Sequence, residues 1–218
     1  RILRRSSEML TVVSNLKNAM FPLSACGLNT EQTFDNFICT EANAAAYGFA
    51  TAVSLSFESK RSPLLICGPI NSGKTHLMNA IANQWRRFEP VGKLKLMAAS
   101  AFLAPQQLDR SLVTLDMLLV DGVESISSNK AAQDLLLITC ETLRVRGKQT
   151  ILAIDTETNE LQAINAKLVG FFNTGICVML GRAFSPPELI RPLPHATTHQ
   201  PLPGKVSQHS AQYVTGTR

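Results

Sequence analysis

Aromatic residues are scarce in this chain of 218 residues: one Trp, two Tyr and ten Phe, so no platform for stacking successive nucleic-acid bases is evident. Charge is also sparse, at 17% Asp, Glu, Lys and Arg against 45% hydrophobic residues, which excludes a solvated polyelectrolyte and favours a packed core. The five cysteines (Cys26, Cys39, Cys67, Cys140 and Cys177) include no C-x-x-C pair and leave one over. That argues against a disulfide framework or a zinc site and for a reducing compartment, with the cytoplasm as the expected location. No apolar run reaches the roughly 18–20 residues of a membrane span. The longest, "AAAYGFATAVSLSF", is shorter and carries Ser, Thr and Tyr. The formal net charge of +5 permits a nucleic-acid partner without requiring one.

What is present alternates. Short apolar stretches, "PLLIC", "KLKLMAA", "LDMLLVD", "TILAID" and "GICVML", are bounded by Gly or polar residues and read as strands. Helices are expected near 75–87 and 130–146, with an Ala-rich helix from about Glu41 to Phe57 capped by Thr40. Strands apolar on both faces and separated by helices imply an α/β fold with a mostly parallel sheet covered on both sides. Residues 1–27 read as a poorly patterned leader with one short helix over "SSEMLTVVSNLKNAM". Their Arg- and Ser-rich start fits a fragment edge or a solvated basic end better than a transit peptide. Residues 194–218, dense in Pro, His, Ser, Thr and Gln, read as a disordered tail without metal-ligand spacing among their histidines.

The chemistry is concentrated in "GPINSGKTH", residues 68–76, directly after the "PLLIC" strand. Gly68 and Gly73 allow backbone torsions and close approach that a side chain would block. Backbone amides of Asn71, Ser72, Gly73, Lys74 and Thr75 can then point at phosphate oxygens, beside the positive end of the following helix. In such a loop Lys74 bridges the β- and γ-phosphates and the Thr75 hydroxyl takes Mg²⁺. His76 is expected on the helix surface or just behind the loop. A phosphate loop needs an acid on a neighbouring strand, and "LDMLLVDG" supplies Asp121 at the strand tip, where it would hold Mg²⁺ through water. Asp116 opens the same strand at the opposite end and reads as a cap or surface charge.

Three stretches together resemble the ATPase domain of the DnaA and Hda family of bacterial replication initiators and their relatives. They are "LNTEQTFDNFICTEANAAAYGFA", "GPINSGKTHLMNAIANQWRR" and "LDMLLVDGVESI". The likeness runs from about Leu28 to Leu193, so residues 28–193 are expected to form the nucleotide-binding domain. It implies a phosphate-loop NTPase of the AAA+ type, a three-layer sandwich with five mostly parallel strands, binding ATP or ADP at a subunit edge. By the same resemblance "TFDNF" lies near the adenine, making Phe34, Asn36, Phe37 and Ile38 candidates, and "QTILAIDTETNELQAI" is the sensor strand that sets Asp155 beside the γ-phosphate.

The sequence departs from that family in ways that bear on function. The family usually places a second acid after the magnesium Asp, and here that place is Gly122; Glu124 either reaches in or lies on the surface. The arginine finger is expected within "AKLVGFFNTG", where the best match is Phe171 and no Arg or Lys lies between Lys167 and Arg182. Such a finger is worth about 10³–10⁵ in rate, so hydrolysis is expected to be slow or absent. "SAFLAPQQLDRSLVTL" has room for one short helix at most where initiators insert a pair that grips DNA, and no stretch resembles the family's helical lid or helix-turn-helix. The resemblance therefore implies an ATP-binding protein of replication initiation or its regulation, with Lys74, Asp121, Glu124 and Asp155 as catalytic candidates. Its partners would be replication proteins, an initiator or a clamp, with DNA less supported. The alternatives are a non-hydrolysing interaction module of the same fold, or an unrelated phosphate-loop NTPase or kinase. "NKAA" at 129–132 lacks the Asp of a guanine-reading motif, and 67 residues precede the loop, unlike most small-molecule kinases.

Overall fold

A computed structural model describes residues 27–55, 62–157 and 162–181. The expected leader helix and the expected disordered tail lie outside these residues. The elements, in chain order, are α1 (Ala44–Ser54), β1 (Leu64–Gly68), α2 (Lys74–Phe88), β2 (Leu94–Ala98), β3 (Met117–Asp121), α3 (Lys130–Val145), β4 (Gln149–Asp155), α4 (Ala166–Phe172) and β5 (Ile176–Met179). All pairings in the five-stranded sheet are parallel, in the order β2-β3-β4-β1-β5.

Because β-strand side chains alternate, the inner strands β1, β3 and β4 each feed two cores. Leu64 and Ile66 of β1, with Met117 and Leu119 of β3, meet Leu77, Met78 and Ile81 of α2 and Ala46 and Ala50 of α1. Leu65, Leu118, Val120, Leu152 and Ile154 face the other way, onto Leu136, Cys140 and Leu143 of α3 and Leu168 and Phe171 of α4. This double cover is what lets parallel strands be apolar throughout, and the burial of all of β4 follows from its central position.

One local expectation needs correction. The first helix starts at Ala44, not Glu41, and Thr40 does not cap it. Asn43 Oδ1 instead accepts the Thr40 N–H at 2.7 Å, and Asn43 Nδ2 donates to Ile38 O at 3.0 Å, so residues 38–43 are held in a side-chain-bonded turn. The segment with room for one short helix at most contains no α-helix; it forms three 3₁₀ turns, Ala99–Leu103, Pro105–Gln107 and Arg110–Thr114. Pro105 and the Asp109 side chain, which accepts the Ser111 N–H at 2.8 Å, break the path into short pieces. Among the described residues no helix is long and apolar enough to cross a membrane.

Candidate nucleotide site

β1 ends at Gly68 and α2 begins at Lys74, so the intervening turn lies at the C-terminal edge of a parallel sheet. A Cβ on Gly68 would stand 2.6 Å from Leu180 O and 2.8 Å from Ser72 Oγ; only glycine fits. Ser72 N donates to Pro69 O at 3.2 Å, closing the turn. Asn71 (φ 61°) and Gly73 (φ 95°) both take left-handed torsions, which curl the loop back on itself. Gly73 also rests on the Phe37 ring, which an added Cβ would approach to 3.3 Å. No side chain caps α2. Its first N–H groups therefore remain for an acceptor outside the helix, at the positive end of its dipole.

The charged and hydroxylic groups converge on this turn. Lys74 Nζ donates to Gly68 O at 2.8 Å and Pro69 O at 2.7 Å, so the ammonium lies across the loop's own backbone. Its third proton is left for another acceptor. Thr75 Oγ1 donates to Asp121 Oδ2 at 2.5 Å, joining the start of α2 to the tip of β3 although β4 runs between β1 and β3. Asp155, at the tip of β4 beside Gly68, is buried; its Oδ1 accepts the Glu157 N–H at 2.9 Å. A cleft of about 590 Å³ is lined by Asn71, Lys74, Thr75, Asp121, Glu124 and Asp155, among others. A groove of similar size, about 620 Å³, lies between α3 and α4.

Gly122, where the resemblance leads one to expect an acid, has φ 71° and opens a 3₁₀ turn, Val123–Ile126. That turn carries Glu124 back toward the cleft. Its Oε2 accepts the Asp155 N–H at 2.9 Å, and its Oε1 is 3.5 Å from where a Cβ of residue 122 would sit. Glu124 is therefore in the cleft and not on the surface.

The segment expected near the adenine divides into roles. Phe34 is buried against Tyr47, edge to face at 5.3 Å, and is a core residue. Asn36 accepts the Thr33 N–H at 2.9 Å and donates to Glu31 O at 2.7 Å. Phe37 packs between Tyr47 and His76, while Ile38 is half exposed. His76 Nε2 lies 3.0 Å from Thr33 O and 3.1 Å from Asn36 Oδ1. A carbonyl can only accept, so Nε2 carries the proton and His76 pins this segment to α2. Sequence reasoning missed a further group, Asn79. Buried on α2, it accepts the Asn29 N–H at 2.8 Å and donates to Gln32 Oε1 at 2.8 Å and Thr75 O at 2.9 Å. Its signal in the sequence is a polar residue inside an apolar helical stripe.

Phe171, which the resemblance sets at the arginine-finger position, is buried in the α3–α4 core. Asp116, at the far end of β3, binds Lys148 Nζ at 2.7 Å and accepts the Lys93 N–H at 2.9 Å, which makes it a structural group remote from the cleft.

A five-stranded parallel sheet in this order, with a phosphate loop after its first strand and an acid at the tip of its third, defines a phosphate-loop NTPase domain of the AAA+ type. The chain matches the family of the bacterial DnaA ATPase domain over residues 28–179, and it belongs to that family. It is 31% identical over 172 residues to the chromosomal replication initiator protein DnaA of Lacticaseibacillus paracasei, covering 74% of this chain and 37% of that protein. The chain thus spans little more than a third of that curated relative. Domain III of the Thermotoga maritima replication initiation protein DnaA superposes with a TM-score of 0.64 at 29% identity, over 70% of this chain and 68% of that one. AMPPCP-bound DnaA from Aquifex aeolicus gives 0.63 at 27% identity, over 71% and 51%.

Proposed function

We propose that residues 28–193 bind ATP or ADP with Mg²⁺ in the cleft between the phosphate loop and the tips of β3 and β4, and that the bound nucleotide acts chiefly as a switch. The observation that carries this reading is the Thr75–Asp121 contact of 2.5 Å at the mouth of a loop whose lysine lies across it. The donor set fits the ion. The Thr75 proton is given to Asp121, which leaves the hydroxyl oxygen's lone pairs for a hard cation. Among the described residues no group of three or more His, Cys, Asp or Glu forms a metal cage. Mg²⁺ suits such a site, because it is commonly held by one or two carboxylates together with substrate phosphates. Thr75 would hold it directly and Asp121 through water; when bound it would neutralise phosphate charge.

The chain's own residues divide the remaining work. Lys74 and the amides of residues 71–75 bind phosphate, Asp155 flanks the γ-position, and Ile38 and Phe37 offer an apolar contact for the base. Glu124 is the group suited to orient water, but it shares one oxygen with the Asp155 N–H. With Phe171 where the family carries its arginine, turnover should be slow. The adenine nucleotide analogue bound by the Aquifex aeolicus relative supports the choice of base. Family membership supports a role in replication initiation or its regulation, through a replication protein that reads the ordered edge of the domain. DNA contact is less supported: of the two arginines at the basic end of α2, Arg86 is buried and Arg87 alone is exposed. Calorimetric titration of ATP–Mg²⁺ onto the full chain and its Lys74→Ala variant tests the reading. Losing one charge-assisted contact of about 1.5–3 kcal/mol should weaken binding about 10- to 100-fold. Equal affinity in both would end it.

A further inference from the structure

Two thiols that are 110 residues apart in sequence meet beneath the phosphate loop, with Cys67 Sγ and Cys177 Sγ 3.3 Å apart and one donating its proton to the other. Cys67 is the β1 residue just before Gly68, and Cys177 is the second residue of β5. Leu65 pairs with Cys177 and Cys67 with Met179, so the thiols approach on the diagonal between neighbouring parallel strands. Their accessibilities differ: Cys67 is buried and Cys177 is exposed on a strand that, among the described residues, lies at the sheet edge beside β1. A packing role explains a buried cysteine on its own. It does not explain a second, solvent-facing thiol in contact with it.

We propose that Cys67 and Cys177 form a reversible dithiol–disulfide pair, oxidised by peroxide, which cross-links β1 to β5 directly behind the phosphate loop. Burial, and then the hydrogen bond and charge of Cys177, push the Cys67 thiol up to about 12, against the opposing pull of Lys74. Cys67 therefore stays protonated, and Cys177 is the sulfur that reacts first. Its thiolate attacks one oxygen of hydrogen peroxide; the O–O bond breaks, hydroxide leaves, and Cys177 becomes a sulfenic acid. Cys67 sulfur then attacks Cys177 sulfur; the S–O bond breaks, the S–S bond forms, and the Cys67 proton departs with the hydroxyl as water. Two electrons pass from the two thiols to the peroxide, and a thiol reductant reverses the change. The sulfurs have to close by about 1.2 Å to reach a bond of about 2.05 Å. Among the described residues β5 pairs with one neighbouring strand, so it is the element better able to make that movement. The link would bear on the loop, since Cys67 O accepts the Leu180 N–H at 2.7 Å and the next carbonyl, Gly68 O, accepts from Lys74.

The test treats the full chain with graded hydrogen peroxide, alkylates the remaining thiols and maps peptides by mass spectrometry without reductant. The expected product is a Cys67–Cys177 linked peptide, lighter by two hydrogens and released by dithiothreitol, that forms at lower peroxide than any other cysteine pair. Cys67→Ser should leave Cys177 as a sulfenic acid trapped by dimedone, and Cys177→Ser should leave Cys67 unoxidised until the chain is unfolded. Over-oxidation of Cys177 to sulfinic acid while Cys67 stays free would overturn the proposal, as would equal rates for all pairs. Neither readout uses ATP, so failure here leaves the nucleotide reading standing, and the reverse holds too.

Discussion

Glu124 shows how a single torsion can re-aim a carboxylate. With φ at 71°, residue 122 occupies a conformation that L side chains rarely adopt, and glycine is suited to it. The same left-handed turn folds Val123–Ile126 so that Glu124 presents Oε1 toward the space beside residue 122. If this carboxylate orients the attacking water, Glu124→Gln should lower residual ATP hydrolysis about 10²-fold or more, in the range of general-base removal. ATP affinity should be unchanged within about twofold, because Gln keeps an acceptor for the Asp155 N–H. Single-turnover phosphate release, measured beside equilibrium binding, separates the two. Equal hydrolysis rates in variant and parent would remove Glu124 from the chemistry. At this scale Lys74 and Thr75 were legible from the spacing of the loop, and Asp121 from the acid that ends an apolar strand. Whether Glu124 reaches in was not, because that depends on the path of one short turn.

Elements are joined here by polar staples that no periodicity reveals. Asp116 ties the starts of three strands: it accepts the Lys93 N–H ahead of β2, opens β3, and binds Lys148 ahead of β4. Burial acts to raise its pKa, but the Lys148 and Lys93 hydrogen bonds and charges outweigh it and hold the carboxyl below the ordinary value. A depressed carboxyl stabilises the fold above its unfolded pKa of about 3.9 and loses that contribution as pH falls through the folded value. Asp116→Asn should therefore be less stable than the parent at pH 7 and should converge toward it as pH falls through the lowered folded pKa. Urea denaturation at several pH values reads this, and a constant difference across the range would contradict it. On the other flank, Asn36 and His76 fasten residues 33–37 onto α2. Asn36→Ala should cost about 1 kcal/mol, and amide exchange should quicken at Thr33, whose N–H loses its acceptor. The strands and the long helices were readable as apolar runs and helical periods. The late start of α1 was not: Thr40 and Asn43 are both good capping residues, and the Asn43 bonds to Thr40 and Ile38 settle it in three dimensions. The Cys67–Cys177 contact was hidden for the same reason, since only the placement of β5 beside β1 brings those positions together.

Across the whole molecule the two cores share the same strands, so neither can be weakened alone. Ile66 of β1 is sealed on the α1–α2 side and Leu118 of β3 on the α3–α4 side. Truncating either to Ala should cost about 2–5 kcal/mol and leave a single cooperative transition, which fluorescence of Trp85 and far-ultraviolet circular dichroism should report at the same urea concentration. The cleft adds a reversible term. Its walls come from the phosphate loop, α2 and the tips of β3 and β4, so a ligand there bridges elements that must separate on unfolding. Binding to the folded state alone adds RT ln(1 + [L]/Kd), about 2.7 kcal/mol at 100 times Kd. For a domain of this size that corresponds to a rise of about 5–11 °C in melting temperature, at roughly 2–4 °C per kcal/mol. Saturating ATP–Mg²⁺ should raise the midpoint by about that much in the parent. At the same ligand concentration the rise should shrink by about half or more in Lys74→Ala, since each tenfold loss of affinity removes about 1.4 kcal/mol. In Ile66→Ala it should persist in full, since Ile66 is buried on the α1–α2 face of β1 and lines no part of the cleft. A shift lost equally in both variants would mean that stability, and not phosphate contact, governs the response.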